Sequence, residues 1–178
     1  MGTVFCHTVT TTVFVIAIAC FTEMAFADWQ GTVWNSSPEQ ADKVFLLPHR
    51  ASTQSGFPNV IGAAPIVFDD YRLGDLAFHK GRLYFRDGKL NQIWMSLKDP
   101  SLCEKLITRL QVTYGKPAKD ETTQLPAHES SDHLVTWYDQ KNNNQVEVLY
   151  RRYTRQLNLD DDCDLRYEPF VIPSPGQP

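Results

Sequence analysis

The sequence predicts an α+β fold in which helices pack on one face of an antiparallel sheet and one disulfide bond forms. One observation is an order of a helix and then three strands, which occurs twice, over residues 38–97 and 99–168. Another is a single apolar stripe on the second predicted helix, as a helix lying on a sheet requires. We therefore expect a single α+β domain over residues 28–170, with possible halves at 28–97 and 98–170. The halves share little residue identity, so only the order of elements suggests a duplication.

The first helix is predicted to begin at Pro38. Ser37 is a favourable N-cap residue, proline suits the first helical position, and Gln40 completes a capping box. Pro48 cannot continue a helix, so the predicted helix ends near Leu47.

Strands are predicted where β-branched and aromatic residues lie between turn residues. The other predicted elements, in chain order, are a short strand or extended arm at 28–34, a loop at 49–63, strands at 65–71, 75–85 and 90–97, a polar loop at 116–132, strands at 134–139, 145–153 and 163–168, and a Pro-rich tail at 171–178.

The Asp87-Gly88 turn allows two registers for the strands on either side of it. A plain two-residue turn would place Phe85 opposite Leu90. A type I turn with Gly88 in a bulge would shift the pairing by one residue and gather the large apolar residues on one face. The residues of that face are Leu83, Phe85, Ile93, Met95 and Leu97. We favour the second register because it makes one coherent apolar face.

The second helix is predicted to start after Asp99, which is a capping residue, with Pro100 in its first turn. Gly115 and Pro117 mark its end. Its apolar residues recur at helical spacing and form one stripe. They are Cys103, Leu106, Ile107, Leu110 and Tyr114.

Residues 1–27 are predicted to be a signal peptide. Their apolar run at 13–21 is shorter than the about 20 residues that span a bilayer. Ala25-Phe26-Ala27 has the small-x-small pattern of a cleavage site, which makes Asp28 the mature N-terminus and the protein periplasmic or secreted. No Lys or Arg precedes the run, a departure from the usual pattern. Alternatively, residues 17–20 resemble a bacterial lipobox, which would put a lipid on Cys20 and anchor the protein to the envelope.

Two cysteines, Cys103 and Cys163, remain after the leader is removed. A cysteine in the first turn of a helix has the setting of a reactive thiol, since the helix dipole lowers its pKa. Cys103, however, falls on the apolar stripe, and the exported compartment is oxidising. We therefore predict a structural disulfide that closes a loop of about 60 residues and stabilises the fold by roughly 4 kcal/mol.

Composition argues against several functions. The net charge of −4 and the absence of a basic stripe argue against nucleic-acid binding. No catalytic, nucleotide-binding or zinc-protease motif occurs, so no catalytic residue and no cofactor is predicted. The acidic turn at 160–164 does not fit an EF-hand loop that starts at Asn158 or at Asp160. The His128–His133 segment gathers four potential ligands but is predicted to be a loop. Neither is predicted to bind a metal.

Two features carry a resemblance to known proteins. Phe85-Arg86-Asp87-Gly88-Lys89-Leu90, followed by the helix end LQVTYGKP at 110–117, resembles small exported bacterial proteins of uncharacterised function. The repeated order of a helix and three strands resembles the topology of β-lactamase-inhibitor-like proteins and of small outer-membrane assembly lipoproteins. The second resemblance implies a protein-binding role, and neither supplies catalytic residues.

The predicted function is therefore that of an exported, non-enzymatic module that binds another envelope or secreted protein. Tyr84, Leu90 and Trp94 are predicted to share the face opposite the core, as an exposed binding surface. The alternative is a small envelope metal-binding protein or hydrolase that uses the acidic turn 160–164 or the 128–133 loop. Contact with a membrane is expected only through the signal peptide or through a lipid on Cys20.

Overall fold

The computed structural model describes residues 29–52, 62–126, 129–154 and 159–170. These form two short helices and nine strands. In chain order they are α1 (Pro38–Val44), β1 (His49–Ala51), β2 (Ala63–Phe68), β3 (Arg72–Leu73), β4 (Leu76–Arg86), β5 (Lys89–Leu97), a 3-10 turn (Pro100–Leu102), α2 (Cys103–Tyr114), β6 (Lys119–Leu125), β7 (Ser130–Asp139), β8 (Asn144–Tyr153) and β9 (Asp162–Pro169).

The strands belong to one antiparallel sheet in the order β1-β2-β4-β5-β9-β8-β7-β6, with β3 paired to β4 beside this path. The last strand, β9, lies between β5 and β8. Its pairing with β5, from Ile93 opposite Tyr167 to Ser96 opposite Asp164, joins the two predicted halves. The halves therefore form a single sheet.

The α+β prediction holds in part, because the chain is mostly sheet and its helices are few and small. A helix does precede each group of strands. The predicted units of one helix and three strands are wrong in detail, however, because α2 is followed by four strands. Five strands, two of them of two or three residues, follow α1.

The predicted loop at 116–132 is wrong. Residues 119–125 form β6, which pairs with β7 from Lys119 opposite Thr136 to Leu125 opposite Ser130. Six of the seven β6 residues are exposed and the seventh is half-buried, so the segment carries no apolar alternation. Hydrogen bonding to β7 holds this strand, which is why hydrophobic periodicity did not predict it.

The local signals at the helix ends are confirmed. Ser37 Oγ accepts a hydrogen bond from the Gln40 backbone, and the Gln40 side chain accepts one from the Ser37 N–H, which completes the capping box. Asp99 caps the 3-10 turn that leads into α2. The first helix ends at Val44, earlier than predicted. The expected short strand or extended arm at 28–34 is instead, over the described residues 29–34, a series of turns with one isolated β-bridge at Val33.

The β4–β5 turn follows the plainer of the two predicted arrangements. Asp87 and Gly88 both have positive φ, 51° and 71°, and form a two-residue turn. Phe85 consequently lies opposite Leu90. A glycine suits the second of these positions because it has no Cβ to strain the left-handed backbone.

A bulge then shifts the register, and it lies at Asn91 rather than at Gly88. Beyond this bulge Leu83 pairs with Ile93, as the favoured register predicted. The bulge lets Leu90 and Ile93 point to the same side of the sheet, and both are fully buried.

One side of the sheet forms the core together with both helices and the N-terminal turns. We call this side the core face. Two of the three buried tryptophans in this core cluster donate a hydrogen bond: Trp34 to Asn144 Oδ1 at 2.8 Å, and Trp137 to the Gly115 carbonyl at 3.0 Å. The cluster includes Trp29, Ala41, Phe45, Leu83, Leu90, Ile93, Met95, Leu106, Leu110, Val135, Val148 and Leu165. The predicted packing of helices on one face of the sheet thus holds.

Candidate functional site

Among the residues that the structure describes, none on the opposite side of the sheet contributes a side chain to the core cluster. Alternate residues of β4, β5, β9 and β8 point to it, and most of them are polar. We call this side the polar face. Its central residues are Arg82, Tyr84, Gln92, Trp94, Ser96, Gln145, Glu147, Asp164, Arg166 and Glu168.

The predicted binding surface of Tyr84, Leu90 and Trp94 is wrong as an exposed patch. Leu90 lies on the core face at 0% exposure, because the bulge at Asn91 changes its side. Tyr84 does lie on the polar face beside Trp94, with ring centroids 6.0 Å apart, but it is only 1% exposed. Trp94 is half-buried. Of the three residues, Trp94 alone offers appreciable surface to a partner.

Trp94 instead stacks against a residue that the sequence analysis did not single out. Arg166 is its cross-strand neighbour, and the guanidinium Cζ lies 4.5 Å from the centroid of the indole ring. A cation over an aromatic face is attracted to its negative potential. The stack therefore holds the Arg166 side chain, which is 22% exposed, in a defined position.

The Arg166 guanidinium has little compensation from nearby acids. Its nearest carboxylate is Asp164, whose Oδ2 lies 4.0 Å from Nη2. Asp164 Oδ1 already accepts a hydrogen bond from Ser96 at 2.7 Å. The buried Nε atom has no hydrogen-bond partner within the described ranges. Because Nε is buried, an external acceptor can reach only the Nη groups of this guanidinium.

Two glutamates lie beside this stack. Gln92 donates a hydrogen bond to Glu168, while Glu147 accepts from Gln145 at 2.9 Å. Burial raises the pKa of Glu168, the hydrogen bond from Gln92 opposes the rise, and the nearby charge of Glu147 adds to it. The polar face therefore combines a cation that is only weakly paired, at 4.0 Å from Asp164, with a carboxyl group that resists ionisation.

The acidic turn is held in place by protein donors. Asp161 accepts hydrogen bonds from the Tyr153 backbone at 3.0 Å and from the Tyr150 hydroxyl at 3.4 Å, and Asp162 accepts from the Tyr153 hydroxyl at 3.5 Å. Cys163, which follows, forms the predicted disulfide with Cys103. The turn thus anchors one end of the disulfide.

A cleft of about 610 Å³ lies beside the turn, where β4, β5 and β9 meet the start of the 3-10 turn. Burial and the charges of Lys80 and Lys98 lower the pKa of His79, so its imidazole is neutral at pH 7. Other lining residues are Ser96, Asp99, Ser101, Tyr150, Asp160, Asp161 and Asp162. The Ser96 hydroxyl donates its hydrogen bond to Asp164 and not to His79, so Ser96 and His79 do not form a nucleophile–base pair.

The predicted loop at 128–133 is wrong over most of its length, because residues 130–133 belong to β7. His133 Nε2 lies 2.8 Å from Asp120, and its Nδ1 lies 3.9 Å from Glu104. His128 lies outside the described residues. Within the part of the chain that the structure describes, no group of three or more His, Cys, Asp or Glu side chains could hold a metal ion.

Strand β9 explains why sequence reasoning found Trp94 but missed Arg166. The alternation of side chains along β9 puts Arg166 on the same side as Glu168, and the sequence alone predicts this. The pairing of β5 with β9 joins segments about seventy residues apart, and no local pattern indicates it.

The predicted leader at 1–27, with Cys20, and the tail at 171–178 lie outside the described residues. Among the residues that are described, no helix is both long and apolar enough to cross a membrane. Comparison of the chain with protein-family models, with curated proteins and with solved structures finds no match.

Proposed function

We propose that the protein is an exported, non-enzymatic module that binds another protein through the polar face around Trp94 and Arg166. The stack of the Arg166 guanidinium on the Trp94 indole carries this proposal. Tryptophan and arginine dominate the binding energy of many protein interfaces, especially where they are held rigidly. Here each side chain restricts the other, so binding would cost little additional conformational entropy.

The chemistry of the surface favours a partner that presents a carboxylate. The guanidinium of Arg166 is 4.0 Å from its nearest acid, and that acid is engaged by Ser96. Arginine binds carboxylates in a planar, two-pronged geometry. An Asp or Glu side chain of the partner would therefore accept hydrogen bonds from the Nη groups of Arg166, while its neighbouring atoms pack on the edge of Trp94.

Export is the second part of the proposal. It rests on the apolar leader that precedes Asp28 and on the disulfide bond between Cys103 and Cys163. Disulfide bonds persist in oxidising compartments and are rare in the cytosol. Mass spectrometry of the mature protein separates an N-terminus at Asp28 from an acylated Cys20.

The test of binding begins with a photo-reactive amino acid at Gln145, which is half-buried on the polar face. A matched control carries it at Val112, which is 85% exposed on α2. Cross-linking in cells, followed by mass spectrometry, identifies the partner. The affinity of the purified partner is then measured by calorimetry for the wild type, Trp94→Ala, Arg166→Gln and Val112→Ala.

We expect cross-links from position 145 and not from position 112. We also expect at least a tenfold loss of affinity for Trp94→Ala and Arg166→Gln, and no change for Val112→Ala. Melting temperatures establish that the variants are folded. Full affinity in both polar-face variants, or cross-links only from position 112, would reject this surface.

A further inference from the structure

A second cleft, of about 410 Å³, lies over β1, β2 and β4, next to the polar-face residues of β4. Among the described residues that line it, the charged ones are Arg50, Lys80, Arg82 and Asp69, and Asp69 is the one carboxylate. Such a concentration of positive charge contrasts with the net charge of −4 of the whole chain. The remaining lining residues are Ala51, Ser52, Val67, Phe68 and Gly81.

The sheet register brings the two arginines together. Arg50 pairs with Val67, and Val67 pairs with Arg82, so the three residues lie in one row across adjacent strands. Neighbouring strands are about 4.8 Å apart, which separates the two arginine Cα atoms by about 10 Å. Val67 is 8% exposed and forms an apolar floor between them. Two arginine side chains at this separation can both reach one group above the valine.

A bulge in β4 adds Lys80 to the same cleft. Between the pairs His79–Ser96 and Arg82–Trp94, β4 has one residue more than β5. Lys80 has a φ of 54°, and its backbone N–H donates to Asp69 Oδ1 at 3.2 Å. Its ammonium group has no hydrogen bond or ion pair to another described residue.

Asp69 does not neutralise this cleft. One of its oxygens accepts the Lys80 backbone hydrogen bond, and the other lies 3.7 Å from Arg50 Nη2 in an exposed pair. Arg82 meets a neutral group, the Tyr84 hydroxyl, at 3.5 Å. Three cations thus face one partly engaged carboxylate, and an external dianion would balance them.

We propose that this cleft binds a phosphate group. A phosphate offers several acceptor oxygens to two guanidinium forks and one ammonium, and it carries up to two negative charges near neutral pH. The site adjoins the protein-binding surface proposed above, because Arg82 is the cross-strand neighbour of Trp94. Arg50 and Lys80 line this cleft and are not part of the proposed protein-binding surface, so variants at these two residues distinguish the two proposals. The phosphate group belongs either to a soluble phosphorylated compound or to the headgroup of an anionic lipid, and both present the same chemistry to the cleft.

To test binding, inorganic phosphate is titrated into the disulfide-bonded protein at constant ionic strength. Amide chemical shifts measured by NMR report the binding at each residue. The cleft variants are Arg50→Gln and Lys80→Gln, since both side chains lie at the surface and their loss should leave the fold intact. Lys116→Gln, exposed after α2, serves as a charge-matched control, and Arg166→Gln keeps the two proposals distinguishable. Sedimentation with phosphatidylcholine vesicles, with and without phosphatidic acid, identifies the source.

We expect saturable shifts at residues 50–52, 67–69 and 80–82, and at least a tenfold weaker affinity in each cleft variant. The Lys116 and Arg166 variants should bind phosphate like the wild type. Sedimentation with phosphatidic acid that is lost in Lys80→Gln would assign the phosphate to a lipid headgroup. Phosphate binding without sedimentation would assign it to a soluble compound. Shifts that do not saturate, or cleft variants that bind phosphate as well as the controls, would overturn the proposal.

Discussion

Cys103, the first residue of α2, is bonded to Cys163 of β9, and the two Cα atoms are 5.8 Å apart. Both residues are essentially fully buried in the core. The bond joins positions 60 residues apart, for which the loss of unfolded-state entropy is worth about 4 kcal/mol. We predict that Cys103→Ala combined with Cys163→Ala lowers the free energy of unfolding by about 2–5 kcal/mol in urea denaturation.

Reduction of the wild-type protein with dithiothreitol provides an independent check on this disulfide. It should lower the unfolding midpoint by a similar amount, and it should not affect the alanine variant. A double variant as stable as the oxidised wild type would show that the bond makes no net contribution to the free energy of unfolding.

Gly81 of β4 lies under the ring of Phe68, its cross-strand partner in β2. A Cβ atom at this position would come within 2.2 Å of the Phe68 ring, closer than any van der Waals contact. We predict that Gly81→Ala destabilises the fold by about 1–3 kcal/mol, because a well-packed ring must move. Thermal or urea unfolding measures the effect.

The matched control for Gly81 combines this change with Phe68→Ala. Removing the ring relieves the clash, so the double variant should be more stable than the sum of the two single effects predicts. Additive effects would contradict the proposed clash.

Arg151 of β8 and Asp132 of β7 form a two-pronged ion pair, with Nε to Oδ1 at 2.8 Å and Nη2 to Oδ2 at 2.9 Å. Hydrogen bonding to Asp132 raises the pKa of Arg151. Because both side chains are partly buried, we predict that Asp132→Ala costs about 1–3 kcal/mol of stability.

A double-mutant cycle with Arg151→Met isolates the pairwise interaction between Arg151 and Asp132. The exposed pair of Arg152 and Glu104, 3.4 Å apart, provides the comparison and should show a smaller coupling. Equal couplings in the two cycles would mean that burial and geometry do not strengthen the Asp132 pair.

Features that depend on neighbouring residues were predictable from the sequence. The capping box of Ser37 and Gln40 and the Asp99 cap follow from side chains that satisfy free backbone groups within one turn. The pairing of Cys103 with Cys163 followed from the predicted export and from counting cysteines. These signals act over short distances or by elimination, so no knowledge of the sheet was needed.

Features that depend on sheet pairing were not predictable in this way. Strand β6 is polar on both faces, so no apolar pattern marks it. The turn at Asp87-Gly88 and the demand for an apolar core face each indicated a different register, and the bulge at Asn91 satisfies both. A one-residue shift in strand register puts every side chain on the other face of the sheet. Leu90 was therefore predicted to lie on the surface, whereas in the structure it lies in the core.

The candidate site shows the same limit. Trp94 was identified from composition and alternation, but its neighbour Arg166 comes from a strand at the far end of the chain. The basic cleft likewise depends on the order of β1, β2 and β4, which places Arg50 and Arg82 on either side of Val67. Chemistry assembled by long-range pairing becomes visible only once the register is known.

Glu168 of β9 should make stability depend on pH. Burial raises the pKa of this carboxyl above its ordinary value of 4.5, Gln92 donates to it, Glu147 adds to the rise, and Arg166 and Arg86 oppose it. Between the unfolded and folded pKa values the folded protein binds more protons than the unfolded chain, so stability falls as pH rises through this window.

The Glu168→Gln variant tests this pH dependence, because it keeps an acceptor for Gln92 and removes the ionisation. We predict that its stability relative to wild type increases as pH rises from about 4.5 and then levels off, as measured by urea unfolding across pH 4–8. Glu121→Gln, exposed on β6, is the matched control. A stability difference for Glu168→Gln that stays constant over this range would mean that the carboxyl ionises equally well in the folded and unfolded states.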